Sequence, residues 1–159
     1  MVHIIFGVQM LKLSKLTDYA TVVLSYMAKD PVNMHASQEI SESTGIALPT
    51  VSKILKLLVK AKVLTSVRGA KGGYFLARAP EKITVATVIN ALEGPIALTE
   101  CSVSHINCGH AAGCDIQGNW DLINQKILKL LEAVTLADMA LPVKTSKEIK
   151  IPASSICRS

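Results

Sequence analysis

Residues 45–76 read GIALPTVSKILKLLVKAKVLTSVRGAKGGYFL, a run with a helical half and a β-prone half. Apolar residues recur every three or four positions in the first half, and Val51, Ile54, Leu55 and Leu58 form the predicted buried stripe of a helix. Pro49 stands where a helix tolerates proline, in its first turn. The second half holds two short β-prone pieces, Leu64 to Arg68 and Tyr74 to Leu76, joined by a glycine-rich connection. The run therefore predicts a helix over about 49–61, followed by a two-stranded hairpin.

Two helices are predicted upstream of this run. The first begins at Lys15, after Ser14 as N-cap, and ends before Pro31, since the residue preceding a proline disfavours the helical conformation. The second is short and covers about 37–44, with Ser37 as its N-cap. Helix, short helix, glycine-containing turn, helix and hairpin form the element order of a winged helix-turn-helix. The predicted fold class is therefore mainly α, with the hairpin as a two-stranded β wing.

Two further helices are predicted after the hairpin. Thr84 caps a fourth helix that ends at Gly94-Pro95, and Asn119 opens a long helix that continues to about Ala140. An apolar stripe along the long helix consists of Trp120, Ile123, Ile127, Leu130, Leu131 and Val134. The chain thus divides into a poorly ordered extension (1–9), a winged helix-turn-helix domain (10–80), a linking helix with a cysteine-containing loop (81–118), the long helix (119–141) and a flexible tail (142–159).

Positive charge is concentrated in one part of the sequence. The 159 residues carry 17 Lys and Arg against 12 Asp and Glu, a formal net charge of +5, which makes polyanions plausible partners. Between positions 43 and 80 there is no acidic residue. The basic residues of this interval are Lys53, Lys56, Lys60, Lys62, Arg68, Lys71 and Arg78. The excess charge therefore lies on the third helix and the hairpin.

This placement of charge predicts binding to double-stranded DNA. A recognition helix reads base edges in the major groove, and a basic hairpin tip contacts the neighbouring backbone or minor groove. The candidate DNA-binding residues are Thr50, Ser52, Lys53, Lys56 and Lys60 on the helix, with Arg68 and Lys71 on the hairpin. The competing interpretation is that the lysines form only a solvated helix face, and that the domain binds another protein instead of DNA.

Three of the four cysteines fall in one short window. Cys101 and Cys108 have six residues between them, Cys108 and Cys114 have five, and Cys157 stands alone in the tail. Clustered thiolates are typical ligands of zinc, copper(I) or an iron–sulfur cluster. Structural zinc sites prefer two to four residues between paired cysteines, so the spacing favours an iron–sulfur cluster. A zinc site, a redox-active thiol and simple packing of buried cysteines remain as alternatives.

A fourth ligand is needed to complete such a site. The nearby candidates are His105, His110, Asp115 and Gln117, and a partner subunit can also supply the ligand. Each histidine taken singly is more often a bystander than a ligand.

Other classes of protein are not favoured. The sequence contains no nucleophile motif, no paired carboxylates and no phosphate-binding loop, so an enzyme is not expected. No apolar run reaches the ~20 residues that span a bilayer, which argues against a membrane protein. The apolar start lacks the features of a secretory signal, so the expected location is the cytoplasm.

Three segments resemble a known family, the IscR/NsrR-type winged helix-turn-helix transcription regulators of the Rrf-two/BadM superfamily. Residues 13–20 (LSKLTDYA) resemble the opening helix of that family, residues 45–61 its recognition helix, and residues 66–77 (SVRGAKGGYFLA) its wing motif. The match runs from about Met10 to Ala140, and within the family the chain resembles the regulators of SUF-system iron–sulfur cluster assembly.

The resemblance implies several functional properties. It implies a homodimer that uses the helix at 119–140 for dimerisation, and a 2Fe–2S or 4Fe–4S cluster on Cys101, Cys108 and Cys114. It also implies that cluster occupancy controls the binding of operator DNA near cluster-assembly genes.

Three positions affect which of the family's ligands and switches can be expected in this chain. Gln117 stands where IscR proteins usually have a histidine ligand, and Asp18 matches an acidic ligand that nitric oxide sensors take from the partner's first helix. Ser52 stands where IscR has a glutamate that tunes operator choice, so the resemblance does not carry that switch over to this chain.

Overall fold

The computed structural model describes residues 13–69, 71–98 and 117–141. In order along the chain, the helices and strands are α1 (Lys15–Ala28), α2 (Ser37–Thr44), α3 (Leu48–Lys60), β1 (Leu64–Val67), β2 (Gly73–Leu76), a 3₁₀ turn (Pro80–Lys82), α4 (Val85–Glu93), α5 (Gln117–Ala133) and α6 (Leu136–Ala140). The proposed extension (1–9), the three-cysteine window and the tail (142–159) lie outside the described residues. None of the described helices combines the length and apolar character needed to cross a membrane.

The first two helices each begin at a cap formed by residues three positions apart in the sequence. The Thr17 amide donates a hydrogen bond to Ser14 Oγ at 3.2 Å, which confirms Ser14 as the N-cap of α1. The N-cap of α2 is Ala36, so the prediction of Ser37 is wrong by one residue. Glu39 explains the difference, because its carboxylate accepts from the Ala36 amide at 3.3 Å and supplies the cap from inside the helix.

The three helices enclose an aliphatic core. Four residues of α3 are completely buried, and they are the four that its periodicity predicts: Val51, Ile54, Leu55 and Leu58. Residues of α1, including Leu24 and Met27, complete the centre of the core. Ile83, Val88 and Leu136 belong to the same cluster. The core therefore continues past residue 80 and joins the winged helix-turn-helix elements to α4 and α6.

The single long helix predicted over 119–140 is wrong, because the chain breaks into α5 and α6. At the break the backbone pairs with the segment that precedes α4 instead of with its own helix. The Val85 amide donates to the Val134 carbonyl at 2.9 Å, and the Leu136 amide donates to the Ile83 carbonyl at 2.7 Å. These bonds satisfy the backbone groups that the interrupted helix leaves free.

A side-chain cap then restarts the helix as α6. The Asp138 amide donates to Thr135 Oγ1 at 3.3 Å, and the Thr135 amide donates to Asp138 Oδ2 at 2.8 Å, which together form a capping box. The short α6 packs against α1, and Leu136 enters the core with 2% of its surface exposed. This final helix thus contributes to the core of the winged helix-turn-helix, not to a continuous C-terminal rod.

Glu93, the last residue of α4, is hydrogen-bonded to the start of α1. Its Oε1 accepts from the Thr17 hydroxyl at 2.5 Å and from the Ser14 amide at 2.9 Å. The Thr17 hydroxyl, followed by the Ser14 amide, holds the pKa of the Glu93 carboxyl below its usual value.

This contact predicts a pH-dependent contribution to stability. A carboxyl group whose pKa is lowered by folding stabilises the protein above its unfolded pKa, and that contribution disappears as the pH falls through the folded pKa. We expect Glu93→Gln to lower the free energy of unfolding at pH 7, and the difference from wild type to shrink progressively below about pH 4.5. Urea unfolding between pH 7 and pH 3 measures it. Glu81→Gln serves as the control, and an equal pH trend in both variants would contradict the prediction.

Candidate nucleic-acid interface

The turn between α2 and α3 sets the direction of α3. Gly45 closes α2 with a left-handed φ of 71°, a conformation that glycine adopts without steric cost. The Ser41 hydroxyl donates to the Ile46 carbonyl at 2.7 Å, and the Thr44 hydroxyl donates to the Ile40 carbonyl at 2.6 Å. The Ser41–Ile46 bond crosses the turn and the Thr44–Ile40 bond lies within the last turn of α2, so that α3 leaves α2 in a defined direction.

The faces of α3 differ sharply in character. The buried stripe faces the core, whereas Lys53, Lys56 and Lys60 are exposed. Thr50 and Ser52 are half-buried beside the start of the helix. The structure thus places all five predicted helix residues on α3, with three lysines toward solvent and two small hydroxyl side chains near the N-terminal end.

The predicted wing is a two-stranded antiparallel hairpin. Its register pairs Leu64 with Leu76 at the open end and Val67 with Gly73 near the tip. Arg68 and Lys71 lie beyond the last pair, and both are exposed. The two basic side chains are therefore carried at the tip of the hairpin, as predicted.

Two other basic residues flank the opposite end of the hairpin. Lys62 precedes β1, Arg78 follows β2, and both are exposed. Lys62 adopts a left-handed φ of 59° after α3, a position where glycine is usual. The acid-free interval contains both residues, but sequence reasoning did not select either as a site residue, because periodicity assigns neither to a helix face.

The basic surface of α3 and the wing is not neutralised within the described part of the chain. The ion-pair geometry seen between described residues joins His35 to Glu39, and none of these lysines and arginines takes part in it. No carboxylate lies in the sequence between Glu42 and Glu81 to neutralise them locally. Such a surface attracts phosphate groups and releases counterions when it binds them.

Cys101, Cys108 and Cys114 lie outside the described residues, as do His105, His110 and Asp115. Among residues 13–69, 71–98 and 117–141, no group of three His, Cys, Asp or Glu side chains is arranged to hold a metal ion. Gln117 is the first residue of α5.

Asp18 lies beside an apolar groove. It is exposed on the first turn of α1, and it lines a groove of about 480 Å³ between α1, α4 and α6. The walls of the groove include Leu24, Val88 and Leu136. Within the described part of the chain, Asp18 belongs to no group of three His, Cys, Asp or Glu side chains arranged to hold a metal ion.

A second apolar surface lies on α5. Of the predicted stripe, Trp120, Ile123 and Leu130 are exposed by 39%, 42% and 69%, while Ile127 and Leu131 are half-buried. Exposed apolar side chains on one helix are typical of an interaction surface. The stripe is therefore split between the protein body and solvent.

Comparisons with known proteins agree with this architecture. A profile of the Rrf2 family, described as iron-dependent transcriptional regulator, matches residues 13–141. The protein Rrf2 of Nitratidesulfovibrio vulgaris is 33% identical over 135 residues, which are 81% of this chain and 87% of that protein.

Two solved structures have similar folds. CymR, the global cysteine regulator of B. subtilis, is 27% identical with a TM-score of 0.64, over 82% of this chain and 97% of that one. T. potens IscR is 28% identical with a TM-score of 0.62, over 86% of this chain and 93% of that one. These similarities confirm the winged-helix fold class.

Proposed function

Because the chain belongs to the Rrf2 family of transcription regulators, we propose that it binds operator DNA as a homodimer and senses an iron–sulfur cluster. The regulated genes would be those of SUF-type cluster assembly. Rrf2 regulators are generally DNA-binding proteins without enzymatic activity, and we propose no catalytic role for this one.

The unneutralised basic surface of α3 and the wing is the observation that carries the DNA-binding proposal. Lys53, Lys56 and Lys60 project from a helix whose opposite face is wholly buried, so the helix can enter a groove without exposing the core. The half-buried Thr50 and Ser52 lie near the N-terminal end, the part of a recognition helix that contacts base edges.

The wing supplies a second contact with the duplex. Arg68 and Lys71 at the hairpin tip would follow the phosphate backbone or a narrow minor groove, where arginine is favoured. Lys62 and Arg78 at the base of the hairpin would add only long-range attraction.

A homodimer is supported by the two apolar surfaces. The groove beside Asp18 and the exposed side of α5 each leave aliphatic or aromatic groups uncovered in a single chain. A second copy that covers them would form a two-fold dimer, and such a dimer presents two copies of α3 to a palindromic operator.

The proposed cluster ligands are Cys101, Cys108 and Cys114. Three thiolates suit an iron–sulfur cluster, and Gln117, His110 or Asp18 of the partner subunit would complete the set. Asp18 is exposed and lines the apolar groove, so a second chain that docks there can reach it. When bound, the cluster would supply sensitivity to oxidants, nitric oxide or iron supply.

A thiol or zinc switch is the second candidate. The fold is shared with CymR, whose description as a global cysteine regulator names cysteine and not iron. In that case the same window would respond through the oxidation of thiolates or through zinc.

One experiment separates these possibilities. The full chain is purified without oxygen, its iron, acid-labile sulfide and zinc are quantified, and its visible spectrum is recorded. Binding to duplexes selected from a random pool is then measured with and without the bound metal. We expect a coloured protein with matched iron and sulfide, and at least about a tenfold change in affinity on cluster loss.

The other outcomes have definite meanings. A colourless protein with stoichiometric zinc supports the zinc switch, and a metal-free protein whose affinity follows thiol oxidation supports the redox switch. Failure to select any duplex at low salt would refute the DNA-binding proposal itself.

A further inference from the structure

We propose that His35 is a positioning residue that holds the wing in a fixed orientation relative to α3. The inference rests on the proposed DNA-binding function for its significance, but the contacts themselves lie entirely within the described residues. His35 lies in the connection between α1 and α2, outside every motif used to predict the interface.

The ring of His35 is buried, and each of its two nitrogens lies within hydrogen-bond distance of an oxygen acceptor. Its side chain has 7% of its surface exposed. Nε2 lies 3.0 Å from the Asp30 carbonyl oxygen just after α1, and Nδ1 lies 3.2 Å from Glu39 Oε1 in α2. The ring thereby links two helices, since a buried polar group is stable only when it has partners.

The surrounding groups hold the ring in place. The ring of Tyr26 meets the imidazole edge-on, with centroids 5.5 Å apart, and its hydroxyl donates to Glu39 Oε1 at 2.8 Å. The Ser43 hydroxyl donates to the Tyr26 oxygen at 3.2 Å. Hydrogen bonds from Tyr26 and His35 hold the pKa of Glu39 below its ordinary value.

The backbone of the same residue pairs with the wing. The His35 amide donates to the Tyr74 carbonyl at 2.8 Å, and the Tyr74 amide donates to the His35 carbonyl at 2.9 Å. Strand β2 is therefore hydrogen-bonded on both edges, to β1 on one side and to His35 on the other. A two-stranded hairpin has little stability alone, so the second edge limits how the wing can swing.

Gly73 permits this close approach. A Cβ atom at Gly73 would lie 2.8 Å from the His35 carbonyl oxygen and 2.7 Å from Met34 Cγ. Any side chain at position 73 would push β2 away from His35. The imidazole holds residue 35 in place on one side of the contact with β2. On the β2 side, the absence of a side chain at Gly73 leaves room for the His35 carbonyl.

The orientation of the wing determines where Arg68, at the hairpin tip, meets the duplex. If His35 orients the hairpin, loss of the ring leaves Arg68 present but poorly placed over the duplex. Lys53 is carried by α3, whose position depends on the core instead. Loss of His35 should therefore weaken the contribution of Arg68 and leave that of Lys53 intact.

A double-mutant cycle in the full chain tests this difference. Operator affinity is measured for Arg68→Ala and Lys53→Ala, each with His35 and with His35→Ala. We expect Arg68→Ala to weaken binding about tenfold with His35 and less than about twofold without it. Lys53→Ala should have the same effect in both backgrounds. His35→Gln, whose amide can donate to the Asp30 carbonyl, should restore most of the Arg68 effect.

If Arg68→Ala weakens operator binding equally with His35 and with His35→Ala, the proposal is overturned. A His35 that acts only on overall stability would change the effects of Arg68→Ala and Lys53→Ala in the same way. Gly73→Ala provides a second variant if His35→Ala fails to fold, and the same pattern is expected from it.

Amide exchange at Tyr74 needs no DNA. It should accelerate in His35→Ala or Gly73→Ala while the β1–β2 amides keep their protection. Unchanged exchange at Tyr74 in both variants would overturn the proposal even if DNA binding itself proved wrong.

Discussion

Reversal of two charges on α3, Lys53→Glu together with Lys56→Glu, is expected to weaken binding to the selected operator by about 100-fold or more. Both side chains are exposed on a helix whose other face is buried, and neither has a described carboxylate partner. The two substitutions therefore alter the surface charge without removing core contacts. If each lysine neutralises one phosphate, the slope of log affinity against log salt should fall by about 2.

A matched control separates the effect of where the charges lie from the effect of the change in net charge. Lys29→Glu with Lys82→Glu changes the net charge equally, and both lysines are exposed outside α3 and the wing. We expect this control to lose less than about fivefold in affinity, through long-range attraction alone. Fluorescence anisotropy across a salt series measures both variants. Equal losses would show that only total charge matters and would contradict a specific recognition helix.

Leu55→Ala is expected to lower the free energy of unfolding by about 2–5 kcal/mol. Leu55 is completely buried in the cluster that joins α3 to α1, so its truncation leaves a cavity in addition to the lost transfer energy. The effect is a large share of the total stability of a domain of this size. Folded molecules that remain should bind the operator with near-normal affinity, because the outer face of α3 is unchanged.

Leu48→Ala is the control within the same helix. Leu48 is 37% exposed at the first position of α3, so we expect a cost below about 1 kcal/mol. Urea unfolding followed by circular dichroism compares the two variants. A Leu55→Ala cost as small as that of Leu48→Ala would contradict the assigned core.

Much of the wing and recognition helix could be predicted because local signals agree with the final structure. The period of Val51, Ile54, Leu55 and Leu58 identifies the buried face of α3, since a single helix has one apolar side to bury. The caps at Ser14 and Thr84 were predictable for a similar reason, because each acts on an amide three residues away.

One error arose where distant segments compete for the same backbone, and the other arose from a local contact. Helical periodicity continues through Val134, but the chain breaks there because Ile83 and Val85 offer hydrogen bonds that a sequence pattern does not reveal. The predicted cap at Ser37 failed for a local reason that periodicity ignores, the reach of Glu39 back to Ala36.

The sequence alone determined the element order, the apolar face of α3 and the location of the basic residues, because these depend on neighbours within one or two helical turns. Only the tertiary structure decided that α6 joins the core and that His35 packs against Gly73 at the outer edge of β2. Contacts between residues so far apart in the chain depend on how packed helices orient one another, and no local spacing encodes that geometry.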